Sequence, residues 1–323
     1  MTEPAIETTG LTKRFGGDVL AVDGLDMTVE RGEVYGFLGP NGAGKSTTIN
    51  MLLDFIHPTE GSARVLGYDT REESLEIRKR VGVLPEGAEL YPRLSGREHV
   101  EFVGDVKDVD VDPEAMLDRM GLAPEDQTRN VDGYSKGMQQ RLALGMALAG
   151  DPELLILDEP SSGLDPNGMA EMREIILDEA GDGTTVFFSS HLLEQVEAVC
   201  NRVAILHQGR LVAEDTIEGL RDVSGVNPVV ELQCAEPPED DLGIGSLDGV
   251  LSVETDGRWL EVTCRDPADK ITAIRRADGP AELTDVVAEE TSLEALFESY
   301  TGERESGDGA VEERQPAATE VNR

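Results

Sequence analysis

Apolar and polar positions alternate along residues 5–38, most visibly in VLAVDGLDMTVE, and this period of two predicts short strands joined by turns. EVYGFLG (33–39) predicts an apolar strand that ends in glycine. The pattern turns helical over 45–55, and from about 88 to 150 helices dominate, with acidic loops expected around 104–113 and 124–133. LLILDEP (154–160) is apolar almost without interruption, as a central parallel strand covered on both faces is. TTVFFSSH (184–191) predicts a second such strand, followed by a helix at 192–199. RVAILHQGRLVAED (202–215) predicts a hairpin around Gln208-Gly209. The fold class expected is α/β.

The pattern changes after about Asp222. SGVNP and AEPPEDDLGIGS read as a linker and a loop. VLSVETDGRWLEVTC (250–264) predicts a hairpin turning at Asp256-Gly257. ITAIRRA predicts a short amphipathic helix, LTDVVAEE a strand, and SLEALFESY a last helix with Ser292 as its N-cap. Together these predict a small α+β domain over 225–301. Residues 302–323 hold Gly, Glu and Pro with almost no apolar anchors, and a disordered acidic tail is expected there.

Charge alters the picture more than any other bulk property. Lys+Arg number 28 and Asp+Glu 66, a net charge of −38 over 323 residues. Such a surface repels phosphate backbones, so nucleic acid is not an expected partner. The basic residues are mostly Arg. That balance points to a halophilic protein in a cytoplasm of molar salt, where repulsion between carboxylates is screened to a few ångströms. The three cysteines, Cys200, Cys234 and Cys264, are far apart with no CxxC, which predicts buried thiols in a reducing compartment. MTEPAIETTG has neither a basic start nor an apolar core, so no secretion signal is expected. No apolar run approaches the roughly 20 residues of a spanning helix. If the protein acts at a membrane, another chain spans it.

The chemistry is concentrated in a few segments. Gly39-Pro40-Asn41-Gly42-Ala43-Gly44-Lys45-Ser46, followed by Thr47, fits G-x-x-x-x-G-K-[ST] between a predicted strand and a predicted helix. Its glycines let backbone N–H groups curl around phosphate oxygens, and the helix start adds a favourable dipole. Lys45 would reach the terminal phosphates of a nucleotide, and Ser46 would hold magnesium. Asp158 and Glu159 end the apolar strand LLIL, where two acids are costly unless they serve a cation or a reactive water. Asp158 fits a magnesium partner and Glu159 a base for in-line attack.

These segments resemble the ATP-binding cassette (ABC) ATPase family over about residues 5–220. GPNGAGKSTT is similar to its Walker A segment and LLILDEP to its Walker B. The discriminating segment is Tyr134-Ser135-Lys136-Gly137-Met138-Gln139, which resembles the family signature, usually LSGGQ, with Tyr, Lys and Met as departures. Ser162-Gly163-Leu164-Asp165 is similar to the D-loop, and His191 to the switch histidine. Phe15 stands where the family's aromatic stacks on adenine; the bland alternative is a core phenylalanine. VGVLPEG resembles the Q-loop, with Glu86 in place of Gln as a magnesium or water ligand.

The resemblance implies a P-loop NTPase cassette over 1–222, with a RecA-like core, an antiparallel β subdomain and a helical subdomain at about 88–150. It implies ATP and Mg2+ as ligands. A second cassette is the implied partner, its ATP gripped by this chain's Ser135 and Gly137, and a separate permease would meet residues 86–103 at the cytoplasmic face of the membrane. The ending TSLEALFESYTG resembles cassettes that export drugs, antibiotics or ions. An importer with a regulatory C-terminal domain is the nearest alternative. A cassette-like module that binds nucleotide without turnover is a further one, against which both Glu159 and His191 stand. A GTPase is excluded by the lack of an NKxD motif.

Overall fold

The computed structural model describes residues 3–288 apart from 18, 224–226, 239 and 279. Elements are numbered in chain order. Six strands form the central sheet: β3 (Val34–Leu38), β6 (Val81–Leu84), β7 (Leu154–Asp158), β8 (Thr185–Ser190), β9 (Arg202–His207) and β10 (Arg210–Thr216), in the order β10-β9-β3-β8-β7-β6. All pairings are parallel except the β9–β10 hairpin. Every residue of β3, β7 and β8 is buried, because helices and a second sheet cover both faces. Alternate side chains divide between two cores. Leu155, Leu157, Val186 and Phe188 face one, and Leu154, Ile156, Phe187, Tyr35 and Phe37 the other.

The second core is shared with an antiparallel sheet of β1 (Ile6–Arg14), β2 (Leu20–Val29), β4 (Glu60–Val65) and β5 (Tyr68–Asp69), ordered β2-β1-β4-β5. The helices around the central sheet are α1 (Lys45–Leu52), α2 (Ser74–Arg80), α7 (Pro166–Gly181), α8 (Leu193–Val199) and α9 (Ile217–Val223). Between β6 and β7 lie α3 (Gly96–Lys107), α4 (Pro113–Arg119), α5 (Pro124–Gln127) and α6 (Lys136–Leu148).

Two expected acidic loops are shorter than the composition indicates. Residues 104–107 complete α3, which a capping box at Ser95 starts and a left-handed Asp108 ends. Gly104 is buried in that last turn and its carbonyl receives the Val109 N–H, so acidity here marks a solvent face and not a break. Residues 124–127 likewise form α5, started by Pro124 at its first position. The helix expected over 45–55 stops at Leu52, where Asp54 takes a positive φ.

Beyond residue 228 a third sheet forms, β12-β13-β11-β14, from β11 (Val229–Cys234), β12 (Val250–Asp256), β13 (Trp259–Cys264) and β14 (Leu283–Val287). Helix α10 (Pro267–Ala277) buries Ala273 and Ala277 against Val230, Leu232, Leu260 and Val262. Both predicted hairpins are present. Cys200, Cys234 and Cys264 are free and buried, and burial pushes all three thiols up. The helix expected to begin at Ser292 and the expected tail at 302–323 lie outside the described residues.

Candidate active site

The carboxyl ends of β3, β8 and β7 are adjacent, with Leu38 opposite Ser190 and Asp158 opposite Ser189. In parallel α/β sheets this edge is where ligands bind. The loop after β3 passes so close to β9 that a Cβ on Gly39 would lie 2.5 Å from the Leu206 carbonyl oxygen. Gly44 caps α1 with φ 110°, and a Cβ there would lie 2.5 Å from the Ala21 carbonyl oxygen. These two glycines bend the chain into α1 and leave its first N–H groups at a pocket of about 350 Å³. Pro40, Asn41, Gly42, Gly44, Lys45, Ser46 and Thr47 line it, together with Ala21, Glu86 and Glu159. Gly39 and Ala43 are buried at the back of the loop.

Lys45 is 6% exposed and donates to the Gly39 carbonyl at 2.6 Å. Its ammonium lies 3.2 Å from Glu159 Oε1 but is not aligned for a hydrogen bond, and that buried oxygen receives none. The other oxygen of Glu159, Oε2, is 2.8 Å from His191 Nδ1. Glu159 itself has φ 51°, a left-handed conformation that costs a non-glycine residue and turns the chain sharply away from β7. Its backbone N–H donates to Ser189 at 3.2 Å. Ser189 Oγ donates to Asp158 Oδ1 at 2.5 Å. Lys45 and Glu159 thus meet in the pocket lining, to which Asp158 and His191 do not contribute; His191 reaches it only through Glu159 Oε2, and Asp158 is engaged by Ser189.

Other predicted residues lie elsewhere. Phe15 is 42% exposed, beneath the ammonium of Lys13 at 5.1 Å, and it is neither core nor part of the pocket lining. Ser135 caps α6, accepting from the Met138 N–H at 3.3 Å, while Lys136 to Gln139 form its first turn. Tyr134, the departure from the signature's usual Leu, donates its hydroxyl to the Asp126 carbonyl at 2.6 Å; burial pushes that phenol up. In the D-loop Ser162 and Gly163 are exposed, Leu164 is buried and Asp165 caps α7 through the Gly168 N–H at 2.8 Å. A Cβ on Gly163 would collide with the Lys136 side chain, so the D-loop and the start of α6 touch. None of residues 134–139 or 162–165 lines this chain's own pocket.

The sequence reading missed Ser189, Ser161 and Gln195. The available signal was the hydroxyl pair Ser189-Ser190 closing an otherwise apolar buried strand.

The ABC transporter family model matches residues 22–162. The daunorubicin resistance ATP-binding protein DrrA3 of Streptomyces coeruleorubidus is 35% identical over 311 residues, covering 94% of this chain and 98% of that protein. The chain belongs to the ABC transporter family. It is an ATP-binding subunit of that family, whose members hydrolyse ATP. The bacitracin transport ATP-binding protein BcrA of Bacillus licheniformis is 41% identical over 221 residues, covering 67% of this chain and 71% of that one. A solved ATP-binding subunit of an ABC transporter superposes with a TM-score of 0.61 at 28% identity, over 68% of this chain and 92% of its own. No helix among the described residues is long and apolar enough to cross a membrane.

Proposed function

We propose that this cassette powers export of a drug, lipid or ion through a separate permease at the cytoplasmic face of the membrane, as one half of a cassette dimer. The observation that carries catalysis is Glu159, which lines the glycine-loop pocket beside Lys45 and is joined through its other oxygen to His191. Glu159 is the general base: its unbonded Oε1 is the acceptor for an attacking water, and His191 holds its other oxygen. Lys45 exchanges the Glu159 carboxylate for the terminal phosphates when ATP enters, which frees that carboxylate for the water.

Ser46, Asp158 and Glu86 would hold Mg2+. Their donors are hard oxygens, and Ser46 and Glu86 line one pocket. No group of three or more His, Cys, Asp or Glu among the described residues could hold a metal by itself. Mg2+ would take few protein ligands there and complete its shell with phosphates and water. Held by these residues, Mg2+ would supply neutralisation of the charge that develops on the phosphates.

Ser135 and Gly137, remote from this chain's pocket, serve the partner's ATP, and the D-loop lies beside them. Export is supported by the coverage of DrrA3: 94% of this chain extends well past the cassette into the third sheet. The domain division at about 222–225 belongs to the same reading, as does adaptation to molar salt.

The test is Glu159→Gln in the full chain with ATP and Mg2+. It should retain ATP binding, accumulate an ATP-bound dimer and lose about 10²–10⁴-fold in turnover. Turnover at the wild-type rate would remove Glu159 from this role.

A further inference from the structure

Ser161 lies two residues beyond Glu159, and Ser190 immediately precedes His191. Both side chains are buried, and both point at one atom. Gln195 Oε1, on α8, accepts from Ser161 Oγ at 2.7 Å and from Ser190 Oγ at 3.2 Å. Ser190 Oγ accepts from the Leu192 N–H at 2.9 Å, which leaves its own proton for Gln195. Gln195 Nε2 has Met169 Sδ at 3.8 Å, a weak acceptor. The amide oxygen is therefore the end of Gln195 that does the joining.

Pairing between β7 and β8 stops at Asp158 and Ser189, so the turn that follows Glu159 has no strand partner to hold it. Within the turn, Ser162 N–H donates to the Glu159 carbonyl and Leu164 N–H to that of Ser161, each at 3.1 Å, and Leu164 is buried in the core. A cavity of about 230 Å³, with Met169, Phe188 and Val199 in its walls, opens beside Ser161 and Gln195. We propose that Gln195 is a positioning residue for ATP hydrolysis: its side-chain oxygen ties the turn after Glu159 to the strand end before His191. It thereby fixes the 2.8 Å contact between Glu159 and His191. This rests on the reading of Glu159 as base with His191 as its partner.

Gln195→Met keeps the length of the side chain and exchanges the amide oxygen for a weakly accepting thioether; Gln195→Glu keeps a strong acceptor. Each is compared with wild type and Glu159→Gln in steady-state ATP hydrolysis, with kcat and KM separated and the thermal midpoint measured. Misplacement of a catalytic pair acts on the chemical step, so Gln195→Met should lose about tenfold in kcat with KM almost unchanged. Its midpoint should stay within a few degrees of wild type, and Gln195→Glu should restore most of kcat. The double variant Ser161→Ala/Ser190→Ala removes the same ties from the other side and should show the same kcat loss, which covers the case that Gln195→Met does not fold.

Wild-type kcat in Gln195→Met or in the double variant overturns the proposal, and so does equal loss in Gln195→Met and Gln195→Glu. A kcat loss that disappears on cooling together with a lowered midpoint also overturns it, because that is the signature of a merely structural role. If Glu159→Gln turns over normally, the reading of the base has failed instead. If Glu159→Gln is inactive while Gln195→Met is fully active, only the clamp has failed.

Discussion

At the residue scale, Phe15 is where the structure separates two readings that the sequence left open. Its ring is exposed at the end of β1, so it carries no core packing. Phe15→Ala should therefore leave the thermal midpoint almost unchanged. If the ring stacks on adenine, the substitution removes on the order of 1 kcal/mol, about fivefold in ATP affinity, and Phe15→Tyr does not. Titration with a fluorescent ATP analogue checks this, and unchanged affinity in Phe15→Ala would take adenine away from Phe15. The phosphate loop and Asp158-Glu159 were legible because their chemistry is encoded in consecutive residues. Ser189, Ser161 and Gln195 were not. Gln195 is 34 residues from Ser161, and its role arises only when two strand ends and α8 meet.

At the element scale, the strands legible in the sequence were the fully buried ones, β3, β7 and β8, and the hairpins with glycine turns. Segment 56–81 gave no clear period, because β4 exposes Glu60, Gly61 and Ser62 and β5 is two residues long. Helix α7 was likewise unread, since most of its surface is solvated and only Gly168, Met172, Ile176 and Glu179 are buried. Of the third sheet one hairpin and the last strand were legible, but β11 and the register were not, and the register has a consequence. Glu254 pairs with Glu261, which pairs with Glu231, so three carboxylates form a row across β12, β13 and β11. Like charges directly opposite destabilise a sheet. Glu261→Gln should raise the unfolding midpoint of this sheet by a few degrees in dilute buffer, with the gain vanishing in molar KCl as screening removes the repulsion. Trp259, the chain's one tryptophan, sits in β13, so its fluorescence reports this sheet selectively. An equal gain at both salt concentrations would mean that packing, not charge, is responsible.

At the scale of the whole molecule the same conflict recurs with larger numbers. Ion pairs such as Arg97 with Glu101 and Glu114, or Arg31 and Arg80 with Glu153, join exposed side chains. Each is screened by solvent and contributes little, and added salt weakens it. Against them stands a net charge of −38, which no arrangement of 28 basic side chains can cancel. Folding concentrates that charge, and a cassette dimer would bring two such surfaces together. At about 0.01 M salt the Debye length is roughly 30 Å, so carboxylates repel across a whole domain; at about 1 M it is roughly 3 Å, and only adjacent ones interact. Loss of the few attractive pairs is therefore the smaller effect, and relief of repulsion decides the sign. Both the thermal midpoint and the ATPase rate should rise from 0.1 M toward molar KCl at fixed Mg2+ and ATP. The rate should rise more steeply with protein concentration at low salt, where dimer closure limits it. A midpoint and rate that are flat or falling above 0.2 M KCl would show that the acidic surface is not an adaptation to salt, while leaving the site at the ends of β3, β7 and β8 as it stands.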